Sequence, residues 1–203
     1  MWVSQFLSMV GFSISLPFAP FYLRELGVGD EGHVRAYAAL AAALSNVTFA
    51  VMAPLWGVLA DRYGRKNMVL RANFGGAVIV ALMGLSPNAF WFLVLRAIQG
   101  MFTGTVSASM TLVASSTPNH RQGFALGFLS TSVFSGDMAG LFIGGLLAEM
   151  FGFRNSFYLS GMMLGMSGIL VLIFAREKFV RPLVKRGQTV FHGFHLNWHE
   201  WRR

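Results

Sequence analysis

The chain has no cysteine among its 203 residues. That excludes a disulfide framework, a thiol nucleophile and any Cys-based metal site. Charge is scarce as well: 12% of the residues are charged, where soluble domains carry about a quarter. From Ala36 to Ala60 no charged residue occurs at all. A chain that is 55% hydrophobic and so poor in charge cannot clothe itself against water, so the bilayer is the expected solvent. The formal charge of +8 would suit a nucleic acid, but the bases lie in short clusters between long apolar runs. They read as topology signals, and no nucleic-acid partner is expected. No Ser/His pair, paired carboxylates or metal-ligand set occurs at membrane depth, so the chain does not read as an enzyme.

A helix needs about 20 apolar residues to cross the hydrocarbon core. Six stretches provide them: Trp2–Tyr22, Arg35–Ala60, Met68–Leu85, Phe90–Ala114, Gln122–Met150 and Asn155–Ala175. Lipid offers the backbone no hydrogen-bond partner, so each is expected as a helix. The first has no basic residue before it and contains Pro17 and Pro20, so it reads as a retained helix and not a cleaved leader. The fold class is therefore an all-α integral membrane bundle of six helices over residues 1–175. Residues 176–203 read as a basic, aromatic linker or tail. Twelve of the 16 Lys and Arg fall on one side of this arrangement, in the 61–71 and 115–121 loops and after Ala175. That side is expected to be cytoplasmic, with both termini on it, in a cell membrane.

One stretch occurs twice. Gly57–Asn67 reads GVLADRYGRKN and Gly145–Asn155 reads GLLAEMFGFRN. Glycines, Leu-Ala, acid, aromatic, base and Asn recur at a constant offset of 88. The first copy follows the second span and the second follows the fifth. The chain thus reads as two three-helix units, and an odd number of helices per unit inverts the second. Inverted repeats of this kind are a mark of transporters.

Gly57, Leu59, Ala60, Asp61, Arg62, Gly64, Arg65 and Lys66 carry the most informative pattern. The bases and Gly64 suit a cytoplasmic loop with a tight turn. Asp61 does not, because acids contribute little to orientation and the C-terminal end of a helix disfavours negative charge. It needs a base or another helix N-terminus. The pattern resembles the cytoplasmic signature of the major facilitator superfamily, G-x-L-A-D-R-x-G-R-K. Three further stretches are similar to its drug:proton antiporter branch with twelve helices. They are Gly11 with Pro17 and Pro20 in the first span, Arg96, Gln99 and Gly100 in the fourth, and Gly136, Gly140, Gly144 and Gly145 in the fifth. In the last, Leu141 stands where the branch has proline. The chain resembles the N-terminal half of such a protein. The resemblance implies a gating contact between halves through Asp61 and its motif, and proton coupling at Arg96 and Gln99.

The residues themselves support parts of this. Pro17 and Pro20 are expected to kink the first helix. The glycines at 136, 140 and 144 make a groove for close helix approach. Arg96 lies near enough to its helix end to snorkel, or is buried for function. Asp137 is the lone acid at membrane depth. It is expected to face the bundle interior, and either handles a proton with Arg96 and Gln99 or is a structural acid bonded to Asn46, Arg96 or a hydroxyl. Phe21, Asn46, Phe49, Met52, Met110 and Phe134 are candidate walls of a greasy substrate cavity. In the tail, His192, His195 and His199 are not expected to hold a metal. The expected function is proton-coupled efflux of drug-like amphipathic compounds by alternating access, from a half that needs a C-terminal six-helix half or a second copy. No cofactor is expected, the proton gradient being the energy source. The alternatives are an accessory or structural membrane subunit and an uptake-type transporter of another small solute.

Overall fold

The computed structural model describes residues 1–15, 17–175 and 177. The proposed tail therefore lies outside the described residues except for Glu177. Eight helices follow in order: α1 Trp2–Ser15, α2 Ala19–Glu25, α3 Glu31–Tyr63, α4 Arg65–Met83, α5 Ala89–Phe102, α6 Thr105–Ser116, α7 Asn119–Phe151 and α8 Phe153–Phe174. They make six rods, because α1 with α2 and α5 with α6 are each one broken span. Four rods are long and apolar enough to cross a membrane, and the bent α1–α2 pair makes a fifth. The sixth rod, α4, is 19 residues long, about 28 Å at the helical rise. Arg65, Lys66 and Arg71 in its first two turns make it less apolar than the others.

The two breaks have different causes. Pro17 stands between α1 and α2, Pro20 sits in the first turn of α2, and the two axes diverge by 45°. Proline takes away a helical donor, and an N-terminal turn tolerates it best. The second break interrupts the continuous helix expected over Phe90–Ala114. Thr103 is extended and Gly104 has φ +119, a backbone that L side chains rarely adopt.

The internal repeat is visible in the architecture. Both α3 and α7 have 33 residues, and Glu31 and Tyr63 stand 88 positions before Asn119 and Phe151. The break after Ser15 recurs after Phe102, 87 positions on. Gly64 and Gly152, again 88 apart, join successive helices with φ of 94 and 81. They lie at opposite ends of the bundle. The ammonium of Lys66 beside Gly64 reaches the carbonyl of Leu172 at the end of α8, while Arg154 beside Gly152 lies against Gly84 at the end of α4. The second unit is thus inverted.

Two apolar clusters hold the rods together. The larger gathers Tyr22, Leu23, Val80, Met83, Phe92 and Phe157 towards the Gly152 end, where Tyr22 and Phe157 rings lie 4.9 Å apart. The smaller joins Val69, Leu112 and Val171 at the Gly64 end. Coverage is uneven. Of the apolar windows, only 6% of the α3 window and 22% of the α7 window is buried, against 39% in the α5–α6 rod and in α8. The two 33-residue helices therefore carry the broadest uncovered faces.

Gly64 turns the chain from α3 into α4 at φ 94, ψ 148 and donates its N–H to the carbonyl of Ala60 at 3.0 Å. A Cβ is strained in that backbone. Gly64→Ala is expected to cost about 1–3 kcal/mol, read as a lower thermal midpoint in detergent. Gly57→Ala, inside α3 where the added Cβ would meet nothing within 4 Å, is the control and leaves the midpoint unchanged or slightly raised, since alanine is the better helix former.

Candidate functional site

The Gly64 junction gathers most of the charged pattern. The first N–H groups of α4 have no side-chain cap from Gly64. Glu177 supplies one from beyond α8. Its Oε1 accepts from the N–H of Arg65 at 2.9 Å and its Oε2 from that of Lys66 at 2.8 Å. A carboxylate at a helix N-terminus satisfies orphan donors and the helix dipole together. Lys66 Nζ donates to the carbonyl of Leu172 at 2.8 Å, so a base closes the C-terminal end of α8. Arg65 Nη1 donates to the carbonyl of Thr111 at 3.2 Å. The two bases thus tie α4 to α6 and α8, a role beyond orientation. Glu177→Gln is expected to cost about 1 kcal/mol, since it weakens the charge-assisted cap. Chemical denaturation that reports a midpoint unchanged from wild type would contradict that.

Asp61 is held loosely. Its Oδ1 lies 4.0 Å from Arg65 Nη2 and its side chain is 71% exposed. Gly57, one turn earlier, is exposed with open space before it. Arg62 turns back over the ring of Tyr63. The face of α3 that bears Gly57 and Asp61 is therefore the uncovered part of the junction.

A cavity of about 450 Å³ opens beside this face, between α3, α4 and α6. Phe49, Trp56, Asp61, Arg65 and Arg71 line it, with the hydroxyl-bearing Thr103, Ser107 and Thr111 opposite. The break at Gly104 shapes it. A broken helix frees a carbonyl that lipid cannot satisfy, and the carbonyl of Met101 takes two donors, Trp56 Nε1 at 2.8 Å and Arg71 Nη1 at 3.0 Å. The Arg71 guanidinium lies 3.5 Å from the Trp56 ring centre, a cation–π contact. Trp56 and Arg71 were not singled out by the sequence, because their role depends on a break without proline. Among the expected cavity residues, Phe49 lines this space. Phe21 instead stacks on Phe153 at 5.7 Å, which removes it from this cavity. Met52 and Met110 are half-buried, and Asn46 and Phe134 are exposed.

The α1–α7 seam carries the second group. Gly136, Gly140 and Gly144 are buried against α1. A Cβ at Gly140 would fall 2.7 Å from the carbonyl oxygen of Val10, and those at Gly136 and Gly144 would fall 2.6 Å from the carbonyls of Phe6 and Ile14. Gly145 meets nothing. The helix runs unbroken through Leu141. Asp137 sits at the lip of this seam, where Ser13 of α1 donates a hydrogen bond to its Oδ1. It is exposed on the surface of the chain, not turned into the bundle interior as expected, because the neighbouring Gly136 occupies the buried position.

Arg96 is 5% exposed and does not snorkel. Its Nη1 donates to Gln99 Oε1 at 3.1 Å and its guanidinium faces the ring of Phe92. Gly100 packs on the backbone of Ser45 in α3. No direct bond joins Arg96 or Gln99 to Asp137 among the described residues: the first two pair with each other, and the acid pairs with Ser13. No cluster of metal-ligating side chains occurs among the described residues either.

A family model for the Major Facilitator Superfamily matches residues 1–203. The chain belongs to that superfamily. Two curated relatives are similar over most of it. The multi-drug resistance efflux pump PmrA of Streptococcus pneumoniae is 40% identical over 184 residues, which cover 91% of this chain and 46% of the relative. The multidrug resistance protein MdtG of Enterobacter lignolyticus is 38% identical over 185 residues, which cover 91% of this chain and 44% of the relative. The chain therefore spans about half the length of the curated relatives it matches. The solved structure of the human organic anion transporter TETRAN superposes with a TM-score of 0.73 at 19% identity, covering 87% of this chain and 46% of that one. The superfamily member described here has the six-rod, doubly repeated form of a half-length unit, and its long apolar helices make it a multi-pass membrane protein.

Proposed function

We propose that the chain is the N-terminal six-helix unit of a secondary transporter that exports drug-like amphipathic compounds against proton entry by alternating access. The identity of about 40% to multidrug efflux pumps over 91% of the chain carries this reading. The Gly64 end is the cytoplasmic side, since Arg62, Arg65, Lys66 and Arg121 all lie on it. The uncovered faces of α3 and α7 are where a second six-helix unit packs. Asp61, open on that side of α3, docks against a base or helix N-terminus of that unit and releases it when the cytoplasmic side opens. Asp137 is the coupling acid. One oxygen is held by Ser13 and the rest of the carboxyl is open, so it is reached from outside the packed interior of the chain. Arg96 and Gln99 hold the fourth rod in the form that receives this change, with no direct bond to the acid.

Ethidium efflux from energised cells tests the reading. Cells that carry the chain with a second six-helix unit are expected to export ethidium, and a protonophore abolishes the export. Export that survives the protonophore contradicts proton coupling. No export in any pairing contradicts the transporter reading and favours an accessory subunit.

A further inference from the structure

The α1, α4, α6 and α8 helices share a buried polar layer that neither gating nor coupling uses. It lies one turn above the apolar cluster of Val69, Leu112 and Val171, against which Met1 packs. Residues three or four apart share a helix face. Counted towards the bundle centre from those four, the next turn presents Asn73, Ser109, Ser167 and Gln5. All four side chains are at least 95% buried. The helices thus bring an amide, a hydroxyl, a hydroxyl and an amide to one buried level of the bundle.

Part of the layer is bonded. Ser8 lies 2.6 Å from Asn73 Oδ1 and 2.7 Å from Ser167 Oγ, and Ser167 donates to the carbonyl of Ser4 at 2.6 Å. The rest is not. Gln5 Nε2, Asn73 Nδ2 and Ser109 Oγ are buried without a protein partner. Turning the Asn73 amide over does not cure this, because its other end is then the one left alone. Such groups are costly in an apolar surround. All three can donate, so their partner must accept from two amides and a hydroxyl. An anion could do so only at the heavy cost of burying an unpaired charge among apolar helices. Water carries no such cost, and buried waters bond about three such groups.

We infer that this layer is a built hydration site, in which ordered water bridges Gln5, Asn73 and Ser109 and joins α1 to α4 and α6. The site is structural in its chemistry and independent of the transport reading. Two measurements on the full chain test it. Gln5→Met keeps the volume and removes the amide. With water in place, the change strands it and lowers the thermal midpoint by a few degrees. In a dry layer, it removes an unmet donor and raises the midpoint. Should the variant not fold, proton-detected solid-state NMR of the wild-type chain in bilayers gives the direct answer. The Gln5 and Asn73 side-chain amides are expected to show cross-peaks to water that the Val69 and Val171 methyls lack. A raised midpoint, or amides without water cross-peaks, overturns the inference.

Discussion

Gly140→Leu is expected to abolish the folded bundle, and Gly140→Ala to destabilise it by about 1–3 kcal/mol. The Cβ of either residue would fall 2.7 Å from the Val10 carbonyl and 2.8 Å from Ser13 Cβ. The first of these is backbone and cannot rotate away. For alanine the only relief is to move α1 and α7 apart, which loosens the packing at Gly136 and Gly144 as well, since all three glycines bear on one side of α1. Leucine adds three more carbons to the same space. The control is Gly145→Leu, one residue beyond the stripe in open space, which leaves folding intact. Size-exclusion profiles and thermal midpoints in detergent separate the three. Gly140→Leu with a wild-type profile and midpoint would show that α1 and α7 do not pack through this stripe.

The same displacement has a functional reading, because Ser13 belongs both to the contact with Gly140 and to the bond with Asp137. Under the proposed coupling, a change at the Asp137 carboxyl is transmitted through that bond to the seam. Asp137→Asn keeps the shape and a partner for Ser13 but cannot lose a proton. It is expected to cut proton-driven ethidium export by about tenfold or more, with the protein level and thermal midpoint unchanged. Ser13→Ala keeps the carboxyl and is expected to reduce export less. Full protonophore-sensitive export by Asp137→Asn would remove this acid from the coupling step.

Much of this arrangement was legible before any coordinates. The charge-free runs located the rods, because lipid admits few charges. The 88-residue echo marked two junctions whose glycines turn out to share positive φ. The pattern from Gly57 to Lys66 marked the uncovered junction. Other features were not legible, for physical reasons. The break at Gly104 lacks a proline, and its freed carbonyl is met by Trp56 and Arg71 from two other rods. Glu177 caps α4 from 111 positions away, a contact that spacing does not encode. Asp137 follows a glycine on the buried stripe, and the 100° turn per residue carries the acid out to the lip. The polar layer is made of scattered serines and amides that look like ordinary membrane-helix residues one rod at a time.

The proposed transporter requires the faces of α3 and α7 to be covered by a second six-helix unit. The absence of cysteine lets single labels be placed without background. Nitroxides at Val51 on α3 and Phe142 on α7, which are 70% and 70% exposed on this chain, and at Ile173 on α8, 63% exposed, can be compared in efflux-competent membranes. Collision with oxygen, which concentrates in lipid, reads whether each site faces lipid or protein. High oxygen access is expected at Ile173 and low access at Val51 and Phe142. Equal, lipid-like access at all three sites would contradict that covering.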